Sequence, residues 1–338
     1  MKTTQFNNQL SKYFAEFLPQ IRQCSPKTIE SYSDSFISLF SFFDEKKGIK
    51  FNNVDYKDIN PKNLDDYILY LRKEKGNSNS TIGVRISALA SFLKYSSKRD
   101  MKALSALNSV INLKLPARTN KEIAYFTKEE MSLLLRIPDI RKDVGFRNRA
   151  LLSFLYDSGA RAQEICDICI KDVVSLNGRN PKARLKGKGN KIREVPVSPE
   201  VANLLRHYLN DRKASSFDEP LFLSTSKDKM TTKLISHLVD KTVKEAKEER
   251  PDLFACNKYS PHSFRHSKAV HLLEAGVPLI YIRNFLGHES IQTTEIYAKV
   301  TQGNLNRILS EKKANISIPA EEKPQKVNKF PDFLADIK

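Results

Sequence analysis

No stretch of the chain approaches the roughly 18 consecutive apolar residues of a membrane-crossing helix, which argues against a transmembrane protein. The opening MKTTQFNNQL also lacks the apolar core of a secretory signal. A protein that works inside the cell, in the cytoplasm, is therefore expected. Cysteine is scarce, with four in the whole sequence. Cys166 and Cys169 form a close pair in EICDIC, but no second pair and no His pair stands at zinc-ligand spacing. Both are expected on the apolar side of a helix with Ile165, where cysteine packs as a small hydrophobe. No internal repeat is apparent.

Positive charge is in excess: 57 Lys and Arg stand against 39 Asp and Glu, a formal charge of +18. It is spread along the chain, since 19 basic and 11 acidic residues through Asn120 leave +8 there and +10 beyond. Both halves could face a polyanion. Lysine-rich surfaces also keep proteins soluble, so charge by itself names no partner. At 338 residues the chain exceeds the size at which single cores stop growing, and two domains are expected.

The first third reads as helices. Leu10, Phe14, Phe17, Leu18 and Ile21 recur at three-and-four spacing and predict one inward stripe. Ser25 and Pro26 then supply a capping serine and a proline at the first helical position. The helix they open points Ile29, Tyr32, Phe36, Leu39, Phe40 and Phe43 inward. Two further stripes run through Leu64, Tyr67, Ile68 and Leu71, and through Ile82, Ile86, Leu89 and Leu93. Aromatics at such regular spacing belong to a core rather than to base stacking. Periodicity stops in NLKLPARTNKEIAY, the expected linker. Thr127 and Glu130 form a capping box, and a helix through Ala150 and Tyr156 ends near Gly159. VVSL, ARLKG and IREVPV then read as short strands separated by turn signals at Asn177-Gly178 and GKGNK.

Five places beyond the linker supply groups that phosphoryl transfer needs: Arg161 in SGARAQEI, Lys188 in LKGKGNKIREVPV, His262 and Arg265 in PHSFRH, His288 in LGHES, and Tyr297 in IQTTEIYAK. Breaking a phosphodiester requires a nucleophile, neutralised non-bridging oxygens and a proton for the departing oxygen. Two arginines from separate segments can clamp two oxygens with their planar forks. A single arginine more often sits in a surface ion pair. His262 and Arg265 fall one turn apart near the start of a helix opened by Ser260-Pro261. Lys188 occupies the tip of the predicted hairpin, a place for a general acid, with Lys186 and Lys191 as close rivals. A phenol among cations is expected to ionise more easily than usual, and a phenolate can attack phosphorus. Most of the 12 tyrosines serve packing or surface, and Tyr297 gains its weight from its company.

That company resembles the tyrosine recombinase family, the phage integrase and Xer-like enzymes. GARAQEI, KGKGNKIREVPV, PHSFRHSKAVHLLEAG and LGHESIQTTEIYAKV carry the likeness, which runs over nearly the whole chain to about residue 310. SPKTIESYSDSFISLFSFF and STIGVRISALASFLKY resemble the family's helical core-binding domain. The resemblance implies a mostly α fold with a small antiparallel β-sheet, built as a two-domain C-shaped DNA clamp. Its parts would be a helical core-binding domain over 1–112, a linker over 113–125, a mixed α/β catalytic domain over 126–312 and a tail over 313–338.

For the site, the resemblance implies that Arg161 and Arg265 clamp the phosphate and that Lys188 is the general acid. His262 and His288 would support them, and Tyr297 would form a 3′-phosphotyrosyl bond. Glu164 matches the acidic position that holds the first arginine, though an exposed helix charge is its plain alternative. Lys268 departs from the pattern, because that position after the HxxR motif is commonly apolar or small. No metal or cofactor is expected, since the arginines do the neutralising that magnesium does in many nucleases. The implied partners are double-stranded DNA with inverted-repeat sites and three further protomers, making a homotetramer on two duplexes. No arm-site-binding domain precedes the core-binding helices, which suggests an Xer or transposon type that integrates, excises or resolves DNA elements. A type IB topoisomerase-like relaxing enzyme and a non-cleaving DNA-binding regulator are the alternatives. In the tail, Phe330, Phe333, Leu334 and Ile337 recur at helical spacing, a stripe expected to dock on a neighbouring protomer unless the end is simply disordered.

Overall fold

The computed structural model describes residues 3–115, 123–176, 178–288 and 294–297, with Lys188 described along its backbone alone. Asn177 of the expected turn, residues 116–122 of the expected linker, and the tail with Phe330, Phe333, Leu334 and Ile337 lie outside the described residues. The chain divides into two compact units, Met1–Lys121 and Glu122–Lys338.

The first unit is helical. Helix α1 (Gln5–Lys12) continues as a π-helical run over Tyr13–Ile21, followed by α2 (Pro26–Lys47), α3 (Pro61–Lys73), α4 (Asn79–Ser96) and α5 (Lys102–Ile111). Ser25 caps α2 by accepting the Thr28 N–H, with Pro26 in the first turn, as its sequence predicts. The expected first stripe is only partly right. Tyr13 joins Phe6, Leu10 and Leu18 in the core, whereas Ile21 is 66% exposed. The cause is the wider π turn, in which Arg22 N–H reaches back five residues to Phe17 O. That shifts the inward face away from the 3.6-residue period on which the stripe was counted. Phe6, Tyr13 and Phe36 all meet the Phe92 ring edge-on, at centroid distances of 5.0, 5.5 and 5.5 Å. These aromatics therefore build the core, in the edge-to-face arrangement their quadrupoles favour.

The second unit begins with α6 (Lys128–Arg136), which Thr127 and Glu130 open with the expected reciprocal capping box. Helices α7 (Asp143–Ser158) and α8 (Ala162–Asp167) follow, then β1 (Val173–Val174), β2 (Lys182–Lys186) and β3 (Ile192–Pro196). The three strands form an antiparallel sheet in the order β1-β2-β3, with Leu185 opposite Arg193 and Lys186 opposite Ile192. Helices α9 (Pro199–Asp211), α10 (Thr232–Glu249), α11 (Pro261–Glu274) and α12 (Leu279–Leu286) complete the regular elements. Phe154, Leu155, Leu185, Val195, Leu205 and Phe222 lie in the core that joins sheet and helices. Cys166 is buried in it, whereas Cys169 lies past the end of α8 and is half-buried. Helix α8 stops two residues before Cys169, so the two cysteines do not share a helix face and do not pack alike. Among the described residues no helix is long and apolar enough to cross a membrane.

Candidate active site

The site is assembled from helix ends. Helix α7 closes on Gly159 in the left-handed conformation, at φ 56°. A Cβ there would lie 2.9 Å from a Leu286 methyl and 3.0 Å from the Phe285 ring, so glycine is what lets α12 come this close. Two residues later Arg161 caps α8, and its backbone N–H donates to Glu164 Oε2 at 2.8 Å. Helix α12 ends on Gly287, also left-handed, with His288 directly after it.

The last carbonyls of a helix have no partner within it, and cations are favoured beside them. Three arginines take that role at α12. Arg193 Nε donates to Phe285 O at 3.0 Å, Arg265 Nη2 to Leu286 O at 2.5 Å, and Arg161 Nη2 to Gly287 O at 3.4 Å. Arg265 also donates through Nη1 to Gly159 O at 2.7 Å, which ties the end of α7 to α11. It is the largest side chain fully enclosed in the described structure, at 1% exposure. Burial, and then the charges of Arg161 and Arg193, push its pKa down to about 9, so it remains a cation at neutral pH.

Glu164 is the counter-charge. Its carboxylate is 4% exposed and receives Arg193 bidentately, at 2.8 Å from each terminal nitrogen, and Arg161 Nη1 at 2.9 Å. Burial pushes the Glu164 carboxyl up, but the Arg193 hydrogen bond and charge, then Arg161, outweigh it and hold it below the usual glutamate value. The reading of Glu164 as an exposed helix charge does not hold, because α8 packs beside β2 and carries the carboxylate under the hairpin. One carboxylate among three guanidiniums can balance only one of them, and the surplus of positive charge suits an anion.

Hairpin β2–β3 reaches the same place. A Cβ on Gly187 would stand 3.4 Å from Glu164 Oε1 and 3.8 Å from Arg161 Nη1. The next residue, Lys188, opens the turn at the hairpin tip, where Gly189 and Asn190 both take positive φ. Its side chain lies outside the described atoms, so its reach toward the arginines is not part of this geometry.

The aromatic side of the site lies along α11, whose Ser260 and Ser263 form the N-terminal capping box. His262 in the first turn is exposed. Partial burial of its ring, then the charges of Arg265 and Arg161, keep its pKa below the ordinary histidine value. His288 Nδ1 pairs with Thr294 Oγ1 at 2.9 Å. Burial, then Arg265, Arg161, His262 and Arg193, hold His288 down to about 4, so its imidazole is neutral.

Tyr297 is 1% exposed, and its ring lies nearly parallel to that of His288, at 18° and 6.4 Å between centroids. Arg265 and Arg161 do favour its ionised form, as expected from the sequence. Burial nevertheless outweighs them and pushes the phenol up to about 12, so the expectation of easier ionisation is reversed in this state.

Two residues at this site were not singled out in the sequence. Arg193 stands on β3, and its partners Glu164 and Phe285 come from distant parts of the chain. His266 directly follows Arg265, yet its Nδ1 lies 2.8 Å from Tyr297 Oη. Its four-residue spacing from His262 was the available signal, since it places both rings on one helix face. Lys268, the departure from the family pattern, is half-buried, with Nζ 3.1 Å from Asp157 Oδ1 on α7. The other Asp157 oxygen accepts the Ser198 N–H at 2.7 Å, so the lysine is accommodated by an internal ion pair.

The family model described as "Phage integrase family" matches residues 124–303, and "Phage integrase, N-terminal SAM-like domain" matches residues 12–100. The tyrosine recombinase XerC of Bacillus subtilis (strain 168) is 30% identical over 298 residues, covering 86% of this chain and 91% of the relative. XerC of Oceanobacillus iheyensis is 30% identical over 308 residues, covering 88% and 94%. Among solved structures, the XerH site-specific recombinase bound to palindromic difH substrate, in a post-cleavage complex, aligns with TM-score 0.67 at 22% identity, over 90% of this chain and 87% of that one. The Tn1549 transposon integrase in complex with circular intermediate DNA aligns with TM-score 0.65 at 17% identity, over 88% and 95%. Those two likenesses are of fold.

Proposed function

The chain belongs to the phage integrase family of tyrosine recombinases, and on that premise we propose that its site-specific DNA strand breakage and rejoining run through Tyr297. The observation that carries the reading is the buried Tyr297, its hydroxyl 2.8 Å from His266 Nδ1, its ring nearly parallel to that of His288, and Arg265 and Arg161 near enough to favour its ionised form. In the proposed reaction Arg161 and Arg265 hold the non-bridging oxygens of the scissile phosphate, with His262 and His288 beside them. The Tyr297 oxygen attacks phosphorus and Lys188 protonates the departing 5′ oxygen. The phosphotyrosyl bond conserves the energy of the broken bond, and the reverse attack by a 5′ hydroxyl rejoins the strand.

DNA is the partner of the recombinases that this chain matches in fold. We extend this to double-stranded sites with inverted repeats, joined by a homotetramer that exchanges strands between two duplexes. A nicked suicide duplex should trap a covalent adduct whose peptide contains Tyr297, and two labelled duplexes should exchange strands. Relaxation without exchange would make the protein topoisomerase-like, and binding without any adduct would make it a regulator.

The general acid has its own test. Lys188→Ala should slow cleavage about 10²-fold or more, within the range for a lost acid catalyst. A substrate with sulfur in place of the bridging 5′ oxygen should restore the rate, because a thiolate leaves without protonation. The same pattern in Lys186→Ala or Lys191→Ala, and not in Lys188→Ala, would reassign the acid.

A further inference from the structure

A phenol that attacks phosphorus must give up its proton, and at 1% exposure the Tyr297 hydroxyl is shut away from bulk water as the acceptor. We propose that His266 aims the Tyr297 hydroxyl and takes up its proton as the oxygen attacks, an inference that rests on Tyr297 being the nucleophile. Helix α11 places His262 and His266 four residues apart on one face, with ring centroids 5.0 Å apart and planes nearly perpendicular. The first sits at the exposed start of the helix. The second lies one turn deeper, with Nδ1 at 2.8 Å from the reacting oxygen. His288 is placed differently, its ring nearly parallel to that of Tyr297 at 6.4 Å between centroids and its Nδ1 engaged with Thr294.

The protonation state agrees with this geometry. Burial, then the neighbouring His262, Arg265 and His288, hold His266 down to about 4, so the imidazole is neutral before DNA arrives. A neutral imidazole has one N–H and one lone pair, and the phenol donor at Nδ1 selects the tautomer with its hydrogen on Nε2. A phosphate held by Arg265 would offset that guanidinium's share of the depression.

In the balanced step the proton moves from Tyr297 Oη to His266 Nδ1, the oxygen pair forms the Oη–P bond, the P–O5′ bond breaks, and O5′ takes a proton from Lys188. Rejoining returns each proton along the same path.

The experiment is single-turnover cleavage of a nicked suicide duplex by the full chain, with tyrosine or the more acidic 2,3,5-trifluorotyrosine at position 297. His266→Ala should bind DNA normally and cleave about 10²-fold more slowly, in keeping with a lost general base. Trifluorotyrosine should recover most of that loss, because an acidic phenol needs little help to ionise. His266→Asn keeps an acceptor close to the position of Nδ1 but cannot carry the proton, so it should show the same recovery, and it decides the matter should the alanine variant fail to fold. Wild-type rates in His266→Ala, or a deficit that the acidic phenol leaves unchanged, would overturn the proposal. Either result with a wild-type adduct still mapped to Tyr297 removes His266 alone, whereas the absence of that adduct removes the nucleophile assignment itself.

Discussion

Tyr297→Phe is expected to give a folded protein that binds its DNA site normally and forms no covalent adduct. The loss should be on the order of 10⁴-fold or more, as for removal of other enzymatic nucleophiles. Phenylalanine fills the same space beside Ala269, Val270, Ile282 and Leu286, so the core is not reopened. What disappears is one oxygen and its hydrogen bond to His266. A neutral bond of that kind contributes about 1 kcal/mol net, and the phenyl ring has no hydroxyl to desolvate. Thermal stability should therefore stay within a few degrees of wild type, on the order expected for about 1 kcal/mol. Adduct yield on a nicked duplex, DNA affinity and a thermal melt measured together separate chemistry from folding. A surviving adduct at another residue would show that Tyr297 is only a packed aromatic.

Glu164→Ala is expected to damage both stability and cleavage. The carboxylate is enclosed and satisfies Arg193 bidentately and Arg161 through side chain and backbone. Its removal leaves two guanidiniums repelling each other and Arg265, at a cost of about 3 kcal/mol or more, in line with broken buried ion pairs. Arg161 should also lose its aim, so cleavage should fall about 10²-fold or more, as a small displacement of a positioned group can produce. The sign of the pH effect follows from the depressed carboxyl. Because Glu164 titrates below the unfolded glutamate value of about 4.3, its contribution is complete above that pH and is lost as pH falls through the folded value. Melts of wild type and Glu164→Ala should therefore differ widely at pH 7 and converge only as pH falls through the depressed folded value. A variant as stable and active as wild type at pH 7 would mean that the arginines hold their places without the carboxylate.

Local signals in the chain were legible where the physics is local. Ser25-Pro26 and the Thr127–Glu130 box open helices because their hydrogen bonds close within four residues. Gly159 ends α7 for an equally short-range reason, since it takes the left-handed conformation with little strain. The strands on either side of GKGNK alternate buried and exposed positions clearly enough to be read directly. Where the period itself changed, that method failed: the π-helical run brought Tyr13 in and turned Ile21 out.

At the site, residue types and chain order carried the kind of chemistry, because arginine, lysine, histidine and tyrosine each bring a fixed functional group. Their neighbours were beyond such reading. Arg193 and Glu164 are 29 residues apart, and Arg265 and Gly159 are 106 apart. These partners meet only where the tertiary fold brings β3 to α8 and α11 to the end of α7. The state of Tyr297 was likewise undetermined by its identity, since cations lower a phenol's pKa and burial raises it. Composition and order settled which groups the chain possesses; packing settled that burial prevails at the phenol, because desolvation depends on atoms brought from every part of the unit.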